Sequence, residues 1–140
     1  MLNKDLFFMK EAYKQAELAF DDGEIPIGAV VVCKDQIIAR AYNQVERLKD
    51  PTAHAEMIAI TSASNFLNSK YLDECTLYVT LEPCKMCSGA IAHAHIKTVK
   101  FGAADNSKHP LAEHFNKSGG IMQMECQALI DEFFNKLREE

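Results

Sequence analysis

The sequence of 140 residues has no run of about 18 apolar residues, which is the length that a membrane-spanning helix requires. Its N-terminus mixes charged residues into the apolar ones, whereas a secretory signal needs an unbroken apolar core. No repeat, low-complexity stretch or Pro/Gly-rich linker divides the chain. We therefore expect a single cytoplasmic domain over residues 1–140, without a membrane span and large enough to bury a full core.

Positive charge is scarce as well, because 15 Lys and Arg stand against 20 Asp and Glu, which gives a net charge of -5. Nucleic-acid-binding proteins usually carry a basic surface, so this balance disfavours such a partner but still allows a local basic patch. Cysteine is limited to five residues. An odd number without an export signal argues against a disulfide framework and favours metal or redox chemistry at any closely spaced pair.

The spacing of apolar residues predicts four helices and four strands in the order α-β-β-α-β-α-β-loop-α. Three predicted helices cover residues 4–20, 83–94 and 125–138, and a fourth starts near residue 54. The predicted strands cover residues 28–33, 37–43, 76–81 and 98–103. Residues 104–120 are predicted to form a poorly patterned loop. Strands that alternate with helices indicate an α/β fold, a three-layer α/β/α sandwich with a mixed sheet. In such folds ligands bind at the carboxyl ends of strands, next to helix N-termini.

Two clusters of polar or metal-binding side chains lie at predicted helix N-termini. The first is His54 and Glu56 in "PTAHAEMIAI", where the two residues share the first turn of the second helix. The second is Cys84 and Cys87 in "EPCKMC", whose spacing places both sulfurs on one face of the third helix. The positive end of a helix dipole favours thiolates, and two thiolates together with an imidazole suit Zn²⁺.

His54, Cys84 and Cys87 are therefore candidate ligands of one zinc ion per chain. Three protein ligands leave a fourth position for water, which is typical of a catalytic zinc site. Glu56 lies too close to His54 to bind the same ion comfortably, but it can reach that water and carry its proton. Taken singly, these residues fit a helix-cap histidine, a first-turn acid and a thioredoxin-type redox pair. Their combination at two strand-to-helix junctions favours the zinc site.

The combination of H-x-E with P-C-x-x-C resembles the signature of the cytidine deaminase superfamily. The stretches "EIPIGAVVV", "DPTAHAEM", "LYVTLEPCKMCSGAI" and "ECQALIDEFF" are similar to its bacterial tRNA adenosine deaminase branch. The resemblance implies a cytidine-deaminase-like fold and a zinc-dependent hydrolase in which His54, Cys84 and Cys87 bind the metal and Glu56 carries protons. It also implies a homodimer that converts adenosine to inosine at the anticodon wobble position of tRNA.

The resemblance further assigns substrate contacts to four residues. Asn43 matches an asparagine that hydrogen-bonds the target base, and Ala55 falls where the family uses backbone groups near the metal. Ile27 and Gly28 match residues that line the base pocket. Plainer alternatives are a strand-end turn residue for Asn43 and the start of a buried strand for Ile27 and Gly28.

Several other residues that match the family are better explained by structural roles than by functional ones. Phe133 and Phe134 match an aromatic pair near the substrate strand, but core packing of an amphipathic helix explains them better. Glu82 could support the metal ligands from behind or start the helix, and the helix-start interpretation is preferred. The remaining histidines are expected to be solvent-exposed rather than to form a second metal site: His93, His95, His109 and His114. The segment between "FGA" and the last helix is shorter than is usual for the family.

If RNA is the substrate, basic residues must gather its phosphates locally. The expected contacts follow the second strand or surround the shortened segment: Arg40, Arg47, Lys49, Lys97, Lys100, Lys108 and Lys117. A free-base or nucleoside deaminase, acting on guanine, cytosine or a related compound, is the first alternative, and it accounts for the acidic charge without a basic patch. A non-catalytic zinc-binding module is the second, but it would have no use for an unligated Glu56.

Overall fold

Five strands form one sheet in the computed structural model, which describes residues 3–105 and 115–139. They are β1 (Gly28–Cys33), β2 (Gln36–Tyr42), β3 (Cys75–Leu81), β4 (Thr98–Ala103) and β5 (Asn116–Ser118). The order across the sheet is β2-β1-β3-β4-β5. β1 is antiparallel to both β2 and β3, whereas β3, β4 and β5 run parallel to one another. The prediction of a mixed sheet is therefore confirmed.

Helices cover both faces of this sheet. They are α1 (Lys4–Asp21), α2 (Val45–Leu48), α3 (Ala55–Leu67), α4 (Lys85–His93) and α5 (Gln123–Arg138). α3 and α4 pack on one face, and α1 and α5 pack on the other. The fold is the predicted three-layer α/β/α sandwich. Within the described ranges, no helix combines the length and the hydrophobicity needed to cross a bilayer.

Strand β1 supplies apolar side chains to both layers of the core. Ala29 and Val31 join the cluster under α3 and α4. Val30 and Val32 join the cluster on the other face, where they meet Phe8 of α1. Successive side chains of a strand point to opposite faces, so one run of small β-branched residues serves both layers.

Two short elements were not predicted. The four-residue helix α2 follows β2, and the three-residue strand β5 lies within residues 104–120, which were expected to form only a loop. Both are too short to repeat an amphipathic period, so the sequence carries no periodic signal for them. The nine residues between the described ranges, 106–114, include the predicted phosphate contact Lys108 and the histidines His109 and His114.

The first turn of α1 is anchored to the sheet through Asp5. Its carboxylate accepts hydrogen bonds from the Tyr78 hydroxyl at 2.6 Å and from Lys100 Nζ at 2.9 Å. Burial alone raises the pKa of Asp5, but the bonds from Tyr78 and Lys100 outweigh burial and hold it below the ordinary value. Because Tyr78 is buried, Asp5 also provides an acceptor for a hydroxyl that water reaches poorly.

We expect Asp5→Ala to lower the free energy of unfolding by about 1–3 kcal/mol, because the buried Tyr78 hydroxyl loses its acceptor. The folded-state pKa of Asp5 lies below the unfolded one. Its contribution is therefore present above the unfolded pKa and is lost as the pH falls through the folded pKa. Urea denaturation of both proteins from pH 7 downward should show a difference that narrows on acidification.

The control is Lys4→Gln, which breaks only an exposed ion pair with Asp35. This change should alter the free energy of unfolding by less than about 0.5 kcal/mol. Equal losses in both variants, or a gap that widens at low pH, would contradict the role given to Asp5.

Candidate metal centre and active site

The N-termini of α3 and α4 meet beyond the carboxyl end of β3. His54 is the N-cap residue of α3, and Cys84 is the N-cap residue of α4. Neither side chain caps its own helix, and the two meet instead, with Cys84 Sγ 3.6 Å from His54 Nδ1. Both helix dipoles therefore direct their positive ends toward one point, where thiolates are favoured.

Cys87 completes the predicted ligand group. Its Sγ lies 3.5 Å from His54 Nδ1, and the ligand atoms of His54, Cys84 and Cys87 all lie within 4.8 Å of one another. A tetrahedral zinc with Zn–N of about 2.05 Å and Zn–S of about 2.3 Å separates nitrogen and sulfur by about 3.6 Å. The observed spacing fits zinc. In the part of the chain that the structure describes, this is the only such group of three or more His, Cys, Asp or Glu.

The electrostatics of the group also fit a cation. Cys87 is fully buried, and burial, followed by the nearby charge of Glu56, raises the pKa of its thiol. Two thiolates beside a carboxylate repel one another unless a cation lies between them. A divalent metal supplies that charge and favours the deprotonated thiols.

Glu56 is buried next to this group, with 3% of its surface exposed. Its Oε1 has no hydrogen-bond partner among the described residues. Burial raises the pKa of Glu56 to about 7, although hydrogen bonds from its own backbone N–H and from Cys87 act in the opposite direction. Buried carboxylate oxygens are normally paired, so this atom fits a site that is completed by a bound molecule.

A pocket of about 430 Å³ opens beside His54. Its lining includes Ile27, Asn43, Phe133 and Phe134, so four residues that the resemblance singled out come together here. A mostly apolar lining with a few polar groups is typical of small-molecule sites. Phe133 also packs edge-to-face on Phe20, with 6.1 Å between ring centroids. Both explanations of this aromatic residue, pocket lining and core packing, therefore agree with its position.

Asn43 connects the pocket to the start of α3. Its Oδ1 accepts a hydrogen bond from the Ala55 N–H at 2.8 Å, and its own N–H donates to the Ile27 carbonyl at 3.1 Å. Because the Ala55 N–H can only donate, the amide oxygen must face α3, and the NH₂ group becomes the donor on the opposite side. The Ala55 N–H thus serves to orient Asn43.

Gly28 does not line this pocket, and its contact with the base stays a prediction. A Cβ at this position would lie 2.1 Å from the Ala12 carbonyl oxygen and 2.4 Å from the Ala16 nitrogen of α1. Its N–H donates to Thr80 Oγ1 at 3.0 Å. The close approach of α1 accounts for the glycine, and its neighbour Ile27 lines the pocket.

Glu82 is not a helix-start acid, since the first turn of α4 contains no acidic residue. Its carboxylate forms an ion pair with Lys117 and accepts a hydrogen bond from the Asp105 N–H at 3.0 Å. The interpretation from sequence was wrong because the partner lies 35 residues away along the chain. His93 and His95 are exposed, as expected, and His95 stacks on Tyr71 with 4.1 Å between ring centroids.

Glu24 is a pocket residue that the sequence analysis missed. It is 2% exposed, and its carboxylate accepts hydrogen bonds from backbone N–H groups of α2. In "DDGEIPIG" it follows two other acids and a glycine at a helix end, where an acid is normally an exposed turn residue. No motif or periodicity marks it.

We expect purified protein to contain about one zinc per chain and Cys87→Ala to lose most of it, because two protein ligands hold zinc far less tightly than three. Elemental analysis after gel filtration measures both. Cys126→Ala is the matched control, since Cys126 is equally buried but lies on α5, away from the ligand group. Full zinc occupancy in Cys87→Ala would contradict the ligand assignment.

Comparison with known proteins gives one consistent family. Residues 2–103 match the family described as "Cytidine and deoxycytidylate deaminase zinc-binding region". The tRNA-specific adenosine deaminase of Aquifex aeolicus (strain VF5) is 46% identical, over 94% of this chain and 95% of the relative.

Two solved structures extend the comparison. One comes from a study of A-to-I editing by tRNA:A34 deaminases at the wobble position of transfer RNA. It has a TM-score of 0.83 and 35% identity, covering 88% of this chain and 98% of that chain. The other is the guanine deaminase of Bacillus subtilis, with a TM-score of 0.68 and 42% identity, covering 74% of this chain and 66% of that chain. The chain therefore belongs to the cytidine and deoxycytidylate deaminase family of zinc-binding enzymes.

Proposed function

We propose that this enzyme deaminates adenosine to inosine in tRNA, at the wobble position of the anticodon. One observation carries the deaminase assignment: His54 belongs to the metal-binding group and also lines the pocket. A base in the pocket therefore lies next to the metal-binding group. The tRNA-specific relative and the A34 deaminase structure support tRNA as the substrate.

In this proposal His54, Cys84 and Cys87 would hold zinc, which would act as a Lewis acid and lower the pKa of a water molecule. Glu56 is the proton carrier. As the water oxygen bonds to the amino-bearing carbon of the base, Oε1 accepts one proton of that water, and the carboxyl passes it to the ring nitrogen. The second proton of the same water reaches the amine through Glu56 as the C–N bond breaks. The products are inosine and ammonia.

The remaining pocket residues bind and orient the base. The Asn43 NH₂ group is directed away from Ala55 and donates a hydrogen bond to an acceptor on the base edge. Ile27, Phe133 and Phe134 give the base apolar and aromatic contacts that also exclude water. Base and aromatic ring stacking requires an unpaired nucleotide, which an anticodon loop offers.

Phosphate contacts are best assigned to the residues that follow Asn43. Arg47 and Lys49 are exposed, and they lie in or next to α2, which borders the pocket. The sequence analysis also named Arg40, Lys100 and Lys117, but these form ion pairs with Glu11, Asp5 and Glu82. Lys97 precedes β4, at the edge of the sheet opposite the carboxyl end of β3, so we assign it no phosphate.

A free-base deaminase acting on guanine is the second candidate. The likeness to the guanine deaminase of Bacillus subtilis favours it, as does the loss of basic surface to internal ion pairs. A free base carries no phosphates and needs no basic patch, so the net negative charge of this chain does not oppose its binding.

We also infer a cytoplasmic homodimer. None of the five cysteines, all of which lie in the described ranges, forms a disulfide, which agrees with a reducing compartment. The dimer is inferred from the family resemblance, and in this proposal the exposed apolar side chains of Leu48 and Phe66, with 54% and 69% of their surface exposed, belong to the subunit interface.

We expect Glu56→Ala to keep its zinc and to lose activity by about 10² to 10⁴-fold, the range typical of general acid–base residues. Glu56→Gln, which preserves the shape of the side chain, should lose activity similarly because it cannot carry the proton. Elemental analysis and single-turnover assays measure the two effects separately. Zinc loss without a separate catalytic defect would instead make Glu56 a ligand or a structural acid.

We expect an anticodon stem-loop to be deaminated faster than guanine, cytosine or free adenosine when mass spectrometry follows all four in parallel. Stem-loop affinity should fall with salt by about 0.7 log units per phosphate contact per log unit of salt. Rapid turnover of guanine, with none of the stem-loop at low salt, would favour the second candidate.

The charge assignment has a matched set of variants. Arg47→Glu and Lys49→Glu should weaken stem-loop binding and reduce the salt dependence, since each removes a proposed phosphate contact. Lys97→Glu reverses an equally exposed charge at the far edge of the sheet and should leave binding unchanged. A larger effect at Lys97 than at Arg47 would place the RNA on a different surface.

A further inference from the structure

Glu24 is a buried carboxylate whose partners are all backbone groups. Oε1 accepts a hydrogen bond from the Glu46 N–H at 3.0 Å, and Oε2 accepts one from the Arg47 N–H at 2.8 Å. Within the described residues no ion pair involves Glu24. Burying a carboxylate is costly, and charge-assisted bonds to two N–H groups offset that cost. Because burying the Glu24 carboxylate costs free energy, its use to hold a short helix indicates that the position of α2 matters.

The two bonds join segments that form different parts of the pocket. Glu24 and Ile25 belong to the segment that leads into β1, whereas Val45 and Glu46 belong to α2. Gln44, the N-cap residue of α2, makes no side-chain capping bond, so the caps come from Glu24 on the other segment. A second, exposed link runs parallel to the first, where the Tyr42 hydroxyl donates to Asp22 at 3.1 Å.

The region fixed by Glu24 is the outer part of the pocket rather than its floor. Asn43 is already held by Ile27 and by Ala55, independently of Glu24. Val45 and Glu46 come next along the chain and lie in the same lining as Phe134 and Leu137 of α5. Phe134 and Leu137 have 37% and 49% of their surface exposed, which places them toward solvent.

We propose that Glu24 is a positioning residue that holds α2 and thereby sets the mouth of the substrate pocket. The proposal rests on the proposed function, since it takes this pocket as the substrate site. The mouth contacts the parts of the substrate that surround the reacting base. Glu24 thus governs how tightly a nucleotide within RNA is bound, and it acts on the chemical step only weakly.

This placement predicts a particular kinetic pattern. An interaction made equally in the ground state and the transition state changes KM and leaves kcat alone. Loss of Glu24 should therefore raise KM for a stem-loop while kcat stays close to wild type. A free nucleoside has no flanking nucleotides at the mouth, so its turnover should change less.

The test compares Glu24→Gln, Glu24→Asp and the control Asp21→Asn. In the Glu24→Gln variant the new side-chain NH₂ faces an N–H donor, so one of the two bonds is lost without loss of volume. We expect stem-loop KM to rise about tenfold or more, the effect of losing one charge-assisted hydrogen bond. The value of kcat should stay within about threefold, zinc content should be unchanged, and Glu24→Asp should recover part of the affinity. Asp21→Asn removes an exposed acid three residues away and should match wild type.

Hydrogen exchange provides a readout that needs no substrate. The Glu46 and Arg47 amides should exchange faster in Glu24→Gln, whereas the Ala55 amide, which is bonded to Asn43, should not. Unchanged exchange at Glu46 and Arg47 would overturn the proposal. An equal fall in kcat for every substrate together with zinc loss would also overturn it, by showing a general structural role. If exchange responds but wild-type protein turns over no stem-loop, the proposed function fails while the hold on α2 stands.

Discussion

The hydrogen bond between the Ala55 N–H and Asn43 Oδ1 fixes the first residue of α3, and the metal-binding group depends on that residue's position. His54 directly precedes it and must lie within reach of two sulfurs that belong to a different helix. A shift of α3 by one residue would carry the imidazole about 1.5 Å along the helix axis and rotate it by about 100°. One buried side-chain amide thus couples the base pocket to the metal centre, and neither can be displaced without the other.

Glu24 and Glu56 are both buried acids, but their carboxylate oxygens differ in hydrogen bonding. Both carboxylate oxygens of Glu24 accept backbone hydrogen bonds, which suits a group that must hold still. Glu56 Oε1 has no hydrogen-bond partner in the described part of the chain, which suits a group that exchanges a partner during a reaction. The number of hydrogen bonds that each of these buried acids accepts agrees with the positioning role proposed for Glu24 and the proton-carrying role proposed for Glu56.

The parts of the molecule that could be predicted from the sequence are those marked by a hydrophobic pattern or by a characteristic spacing of ligand residues. The continuous apolar run of β1 and the spacing of Cys84 and Cys87 each reflect local geometry, so the strand and the ligand group could be inferred from them. Glu24 and α2 could not be inferred, because their partners come together only through the tertiary fold. The packing that requires a glycine at position 28 could not be inferred either. The neighbouring Ile27 does line the pocket, but the glycine is required by α1, which approaches from the other side of the sheet.

The two bonds of Glu82 bear on how far the length of the chain can change after β4. It binds the Asp105 N–H and the Lys117 ammonium, which flank residues 106–114, so both flanks are fixed to the end of β3. The entropy of closing a loop grows only with the logarithm of its length, and each doubling costs about 0.6 kcal/mol. Residues can therefore be gained or lost between these two attachment points with little effect on the position of Cys84.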